Sequence, residues 1–325
     1  ICTYMNENND VGAPRTLLRI REDTEYAVVE MGMRGPGEIA RLAQISRPDI
    51  GIITNVGVAH IGRLGSEEAI ADAKGELLEF VDPRGKVILN ADNKWTPRLK
   101  KMSPADVVTF GMEAGDVRSE NAIYSLDSVK FRLVAGGEKF EVEAPAAGLP
   151  AVYNALAAAA VGMSAGIPMD EIVRGLSKPV AEEGRMARVA TKNGKLVLDD
   201  TYNSNPDSAR MALDLLKRIE WPGRKVAVLA DMLELGDAGE QQHFEIGLYA
   251  AGCVDALVTM GPESAHTAKG AAGSGAIDPA SVSSFREFGE IAERKKELFR
   301  SGDLVLVKGS RGMKAERIVK MIAEM

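Results

Sequence analysis

The chain has 325 residues, of which 45% are hydrophobic and only 5% aromatic, enough apolar material for about two α/β domains. A net charge of −7, a pI near 5.3 and the lack of a basic stripe exclude a nucleic-acid partner, but not a small polyanion bound by turn amides and a few cations. Cys2 and Cys253 are too few for a disulfide framework or a zinc set, and there is no apolar run of about 18 residues. The expectation is therefore a cytoplasmic protein without membrane insertion.

Strand-like and helix-like segments alternate, as in a mostly parallel sheet. Tyr26–Met31 ("YAVVEM") reads as a buried strand, Glu38–Ile45 as a helix and Ile50–Asn55 as a strand. A helix from Ser66 to Val81 and a strand in "GKVILNAD" follow. Between Asn121 and Glu143 the pattern becomes short antiparallel strands with a Gly-Gly turn. An Ala-rich helix spans Pro150–Gly166, and a shorter one begins at Asp170. The polar stretch Ser177–Met186 is the expected hinge, dividing a first domain (1–180) from a second (181–325). The second domain should carry strands at Ala187–Ala190, Lys195–Asp199, Lys225–Leu229, Ala256–Met260 and Leu304–Val307, with helices between them. The fold class expected is α/β: a central, mostly parallel ATPase-type domain with a small antiparallel addition, then a Rossmann-like domain.

In open parallel sheets ligands sit at the carboxyl ends of strands. Those ends are polar here: "EMG", "TNVGVAH", "DDTYNSNPDS", "ADMLELG" and "VKGSRGMK". Glu30 is either a Mg²⁺ ligand or an ordinary turn acid. His60, among Gly57, Gly62 and Gly65, is either structural or catalytic. Lys74 falls in the apolar stripe of its helix, with Ile70, Ala71, Leu77 and Leu78 at the positions where a helical ion-pair partner would stand. It either snorkels or, desolvated, becomes a neutral amine able to act as a base, form a Schiff base or take up CO₂. Asn205 and Pro206 suit a helix start. The doublet Asp199–Asp200 is left for ribose hydroxyls, a lysine or a substrate ammonium. Lys308 and Arg311 suit a carboxylate or phosphate, or form a solvated basic turn.

Taken together and in order, "NENNDVGAPRTLL", "EMGMRGPGEI", "TNVGVAHIGRLGS", "AIADAKGE", "DDTYNSNPDS", "ADMLELG" and "VKGSRGMK" resemble the Mur ligase family over almost the whole chain. "DDTYNSNP" and "DMLELG" point to the branch that adds D-alanyl-D-alanine to UDP-N-acetylmuramoyl-tripeptide. The resemblance implies an ATP-dependent ligase of peptidoglycan synthesis, acting as a monomer with two Mg²⁺ ions. Lys74 would be carbamylated and hold Mg²⁺ with His60. Glu30 would serve the ion nearer the ATP phosphates. Asn154 would contact adenine and Arg185 would reach ATP. Asp200, Asn203 and Asn205 would line the nucleotide and the incoming amine, and Lys308, Ser310 and Arg311 the peptide substrates.

There are departures from the family pattern. Met5 and Ala230 stand where the family usually has Gly, and the family's phosphate-binding loop and UDP-binding N-terminal domain are not found in residues 1–325. The chain begins with Ile1, so it is expected to be part of a longer protein and not to turn over by itself. The alternatives are a sister amide ligase, such as another Mur ligase or a folylpolyglutamate synthetase, and a degenerate binding protein without catalysis.

Overall fold

The computed structural model describes residues 1–58, 61–178, 184–192 and 194–325. His60 and half of the expected hinge (179–183) lie outside the described residues. The chain divides into two compact units. One is Ile1–Ala122 with Phe131–Val142 and Val152–Ser177; the other is Ile123–Lys130 with Glu143–Ala151 and Lys178–Met325.

Among the described residues the strands form two six-stranded sheets. The first runs in sequence order: β1 (Ile50–Ile53), β2 (Lys86–Asn90), β3 (Asp106–Gly111), β4 (Val117–Tyr124), β5 (Val129–Ala135) and β6 (Glu138–Ala144). β1 to β4 are joined by parallel pairings. β5 and β6 meet at Gly136–Gly137, where φ is +59° and +85°, the backbone that a two-residue hairpin turn of type I′ requires. β2 is buried along nearly its whole length, whereas β6 buries few of its residues and turns the others outward. That is the difference between a strand covered on both faces and one at a sheet margin.

The second sheet comprises β7 (Ala187–Ala190), β8 (Leu196–Asp200), β9 (Lys225–Ala230), β10 (Ala256–Met260), β11 (Val282–Phe285) and β12 (Leu304–Lys308), in the spatial order β11-β10-β9-β12-β8-β7. Only the margin β7–β8 is antiparallel. Alternate residues feed two cores. Leu198, Ala227, Leu229, Leu257 and Leu306 pack on one face with Leu213 and Leu216. Val197, Val226, Val228, Val258 and Val305 pack on the other with Ile318 and Ile322. The strand ends "DDTYNSN", "ADML" and "VKGSRG" thus emerge side by side from β8, β9 and β12.

Most expected elements are present, with one correction. Tyr26–Met31 is not a buried strand: Val28 makes a single parallel bridge to Cys2, and Tyr26 and Val28 are 50% and 63% exposed. A buried parallel strand needs pairing along its length and cover on both faces. Here the backbone bonds around it are Thr3 N to Val28 O (3.0 Å) and Val28 N to Ile1 O (3.0 Å). Val28 therefore stays at the surface despite an apolar pattern. The helix expected from Ser66 to Val81 is α-helical over Glu67–Gly75 and then tightens to a 3₁₀ turn over Glu76–Phe80. β3, β11, and the helices Gly12–Leu17 and Thr96–Met102 were not foreseen from the sequence pattern.

Candidate active site

In the first unit, "NENN" and "EMG" are locked together. Asn8 Nδ2 donates to Glu30 Oε1 at 2.8 Å, the Asn8 carbonyl accepts from Gly32 N at 2.7 Å, and Thr3 Oγ1 accepts from Glu30 N at 2.8 Å. Glu30 is exposed and keeps acceptor capacity beyond the Asn8 bond, which fits a hard cation. Glu76, at the end of "AIADAKGE", accepts from Gly37 N (2.7 Å) and Ala40 N (3.0 Å). A protein carboxylate thus caps the Glu38–Ser46 helix, and that helix start is filled from within.

Lys74 sits on the helix Glu67–Gly75, which begins where Ser66 Oγ accepts from Ala69 N at 3.1 Å. Ile70, Ala73 and Leu78 around it are buried, while Lys74 is half-buried. Its Nζ donates to the Asn55 carbonyl at 2.6 Å. The same turn after β1 is held by Asn93, whose Nδ2 donates to Asn55 Oδ1 (2.5 Å) and the Val56 carbonyl (2.7 Å). Burial pushes the Lys74 pKa down, because desolvation disfavours the ammonium. A neutral amine is the form that reacts with CO₂, so the environment fits a lysine that becomes an anionic carbamate.

Asn154 is exposed on the helix Leu149–Ser164. Its neighbour Tyr153 fixes the early turns of that helix to the carboxyl end of β2, donating to Asp92 Oδ2 at 2.9 Å. Asp92 also accepts from Met112 N (2.6 Å) and Ala114 N (3.1 Å).

In the second unit the structure brings several expected residues into one network. Lys308 is only 2% exposed. Its ammonium lies 2.5 Å from Asp200 Oδ2 and donates to the Asn203 carbonyl at 3.0 Å. Of the partners left open for the acid doublet, Asp200 takes a lysine. Asp199 turns back on Thr201, accepting from its N (3.1 Å) and Oγ1 (2.6 Å). Ser310, also buried, donates from Oγ to the Ser204 carbonyl (3.2 Å) and accepts from Leu233 N (2.8 Å). Lys308 and Ser310 therefore fasten the strand ends of β8, β9 and β12 to one another. Asn205 caps the helix Pro206–Arg218 as expected: its Oδ1 accepts from Ser208 N at 2.8 Å, and Ser208 Oγ accepts from Asn205 N at 3.1 Å. Asn203 and Arg311 are exposed.

Pattern reading missed several contributors. Tyr202 lies inside a motif already singled out, yet its ring is what Arg185 and Arg311 approach, at 4.2 and 6.0 Å from the centroid. His243 is buried and holds "ADMLELG": Nε2 accepts from Met232 N at 3.0 Å, and Nδ1 lies 2.8 Å from the Gly239 carbonyl. Asp231, also buried, accepts from Ser264 N at 2.7 Å. The polar residues at strand ends were the available signal. It did not separate those facing a ligand from those facing the fold.

Comparison with known proteins shows the family. The Mur ligase middle domain matches residues 2–162, and the Mur ligase glutamate ligase domain matches residues 184–311. The UDP-N-acetylmuramoyl-tripeptide–D-alanyl-D-alanine ligase of Bacillus subtilis is 36% identical, over 98% of this chain and 69% of its own length. That of Escherichia coli is 34% identical, over 99% and 70%. A crystal structure of MurF from Acinetobacter baumannii superposes with a TM-score of 0.92 at 29% identity, covering 100% of this chain and 70% of that one. MurF from Thermotoga maritima in complex with ADP gives 0.85 at 27%, covering 99% and 73%. The chain belongs to the Mur ligase family, in the branch of the UDP-N-acetylmuramoyl-tripeptide–D-alanyl-D-alanine ligases.

Proposed function

We propose that this protein joins D-alanyl-D-alanine to UDP-N-acetylmuramoyl-tripeptide at the expense of ATP, in peptidoglycan precursor synthesis in the cytoplasm, working as a monomer. The observation that carries this reading is likeness to ligases of that name across 98–99% of the chain. The ADP-bound relative supports a nucleotide as co-substrate. Among the described residues no helix is long and apolar enough to cross a membrane.

In this reading the tripeptide's terminal carboxylate attacks the γ-phosphorus of ATP. The bond from phosphorus to the ADP oxygen breaks, and an acyl phosphate forms. The dipeptide amine then attacks the acyl carbon, the carbon–oxygen bond to phosphate breaks, and the amine's proton leaves with solvent or phosphate. Asn154 presents an exposed amide suited to an adenine edge. Arg185 and Arg311 are the exposed cations for anionic groups. Asp200, Asn203 and Asn205 line the loop offered to nucleotide and amine. Lys308 and Ser310 act from beneath that loop, keeping it in register. Glu30, His60 and carbamylated Lys74 would hold two Mg²⁺ ions, which neutralise clustered phosphate and carboxylate charge when bound.

The test is ADP release by the complete gene product. It should require both UDP-N-acetylmuramoyl-tripeptide and D-Ala-D-Ala. Release indifferent to the dipeptide sinks the proposal.

A further inference from the structure

The loop that follows β9 is pinned at three successive amides. Asp231 N donates to the Met260 carbonyl at 3.2 Å, Met232 N to His243 Nε2 at 3.0 Å and Leu233 N to Ser310 Oγ at 2.8 Å. The Asp231 carbonyl accepts in turn from Ser310 N at 3.1 Å. The end of β10, the helix Gly239–Ala250 and the loop after β12 thus hold one short segment. Its amides are spent on the fold, so recognition here falls to side chains. Met232 and Leu235 enter the core at 4% exposure, whereas Leu233 between them stays 43% exposed. The next residue, Glu234, has φ +68°, a conformation that side chains other than glycine rarely adopt. The Leu233 tip lies beside Gly312: a Cβ there would stand 2.9 Å from Leu233 Cδ1. Leu233 therefore meets the loop of Arg311 on either side, through Ser310 at its backbone and Gly312 at its tip. An exposed leucine is ordinary by itself. Among the described residues of the second unit, however, the exposed large hydrophobic side chains are Ile123, Leu233 and Leu248, and only Leu233 follows a strand of the second sheet. That edge is where open parallel sheets bind ligands.

We propose that Leu233 is a specificity-determining residue, whose side chain forms an apolar seat for one methyl group of the D-alanyl-D-alanine acceptor. The inference rests on the ligase reading above and deepens it. Of the three substrates in that reading, the dipeptide is the one without phosphate. Apart from its charged ends and its peptide bond, it offers only two methyl groups. By resemblance the neighbouring Ser310 and Arg311 serve the peptide substrates, and Asn203 and Asn205 the incoming amine. Such polar groups hold the ends of a dipeptide but do not distinguish alanine from glycine. A fixed apolar surface does, because a methyl group gains only where it leaves water. The bonds to His243 and Ser310, both buried, hold the leucine's backbone in place beforehand, so little ordering is left to be done on binding.

The experiment uses the complete gene product and its Leu233→Ala and Leu233→Met variants, with D-Ala-D-Ala, Gly-D-Ala and D-Ala-Gly as acceptors. The parent should favour D-Ala-D-Ala over one of the two glycine dipeptides in kcat/KM. Leu233→Ala should cut that preference about 10-fold by raising the KM for D-Ala-D-Ala. The loss should be confined to acceptors carrying that methyl group, with the KM for ATP unmoved. Leu233→Met, which restores an apolar side chain, should recover most of the preference. A loss shared equally by all three dipeptides marks a merely structural role and overturns the proposal. So does a preference that Leu233→Ala leaves intact, or a parent indifferent to both methyl groups. A raised KM for ATP also overturns it, since the leucine would then face the nucleotide base. Each of these outcomes leaves the ligase reading standing. A parent that consumes no D-Ala-D-Ala removes that reading and this inference together. Should Leu233→Ala not fold, Leu233→Asn, which keeps the size and loses the apolar surface, carries the same comparison.

Discussion

The Lys308 ammonium, 2% exposed, lies 2.5 Å from the Asp200 carboxylate and also donates to the Asn203 carbonyl. Both ends of this pair are largely withdrawn from water, with the Asp200 side chain 16% exposed. Removing one partner leaves the other charged and uncompensated. Lys308→Met should therefore destabilise the protein by about 3 kcal/mol, read from urea melts. Adding Asp200→Leu should recover much of the loss, because the orphaned charge goes with it.

Lys74 yields a pH signature. Burial holds its folded pKa below the ordinary lysine value of about 10.4. Below the lowered folded value the lysine is charged in both states, and the folded state bears the full desolvation cost. As pH rises through that value toward about 10.4, the folded form is neutral while the unfolded form still binds a proton, so stability rises across this window. Lys74→Met should be more stable than the parent at neutral pH, with the difference shrinking as pH approaches 10.4. The same variant should lose ligase activity by about 100-fold or more. ¹³C-bicarbonate should give the parent protein a carbamate resonance that Lys74→Met lacks.

Asn205 combines a cap with a place in the loop offered to substrate. Asn205→Ala removes the acceptor for Ser208 N and should cost about 1 kcal/mol. Asn205→Ser should restore stability, since serine caps comparably. Activity that stays low in Asn205→Ser while melting recovers would assign the amide to the substrate.

Gly184→Ala places a methyl group against Tyr202 N at a residue with φ +73°. The expected destabilisation is about 1–2 kcal/mol. Arg185 moves with the backbone, so kcat should fall further than the melting temperature alone explains. Thermal melts and steady-state rates on one preparation check both.

Much of this was legible from sequence, for reasons that differ between elements. β9, β10 and β12 are continuous apolar runs and could be placed because parallel strands are covered on both faces. Ser66 and Asn205 announced their helices because capping is local chemistry. Lys74 stood out because its i±3 and i±4 neighbours are apolar. Tyr26–Met31 misled because apolar pattern reports what a strand could bury, not whether partners pair with it. β11, with only Phe285 buried, lacked the apolar run that marked its neighbours. The approach of Arg185 and Arg311 to the Tyr202 ring was beyond pattern reading, because residue 311 is far from both in sequence and only the fold makes it their neighbour.

The buried Lys308 also bears on inhibitor chemistry. A compound given a carboxylate to capture this lysine would meet an ammonium already neutralised by Asp200 and closed off from solvent. The exposed guanidiniums near the Tyr202 ring are those of Arg185 and Arg311, and flat, forked donors of this kind suit trigonal or tetrahedral oxyanions rather than a point charge. A phosphonate or sulfonate flanked by an aromatic group offers such an oxyanion together with a surface for the Tyr202 ring.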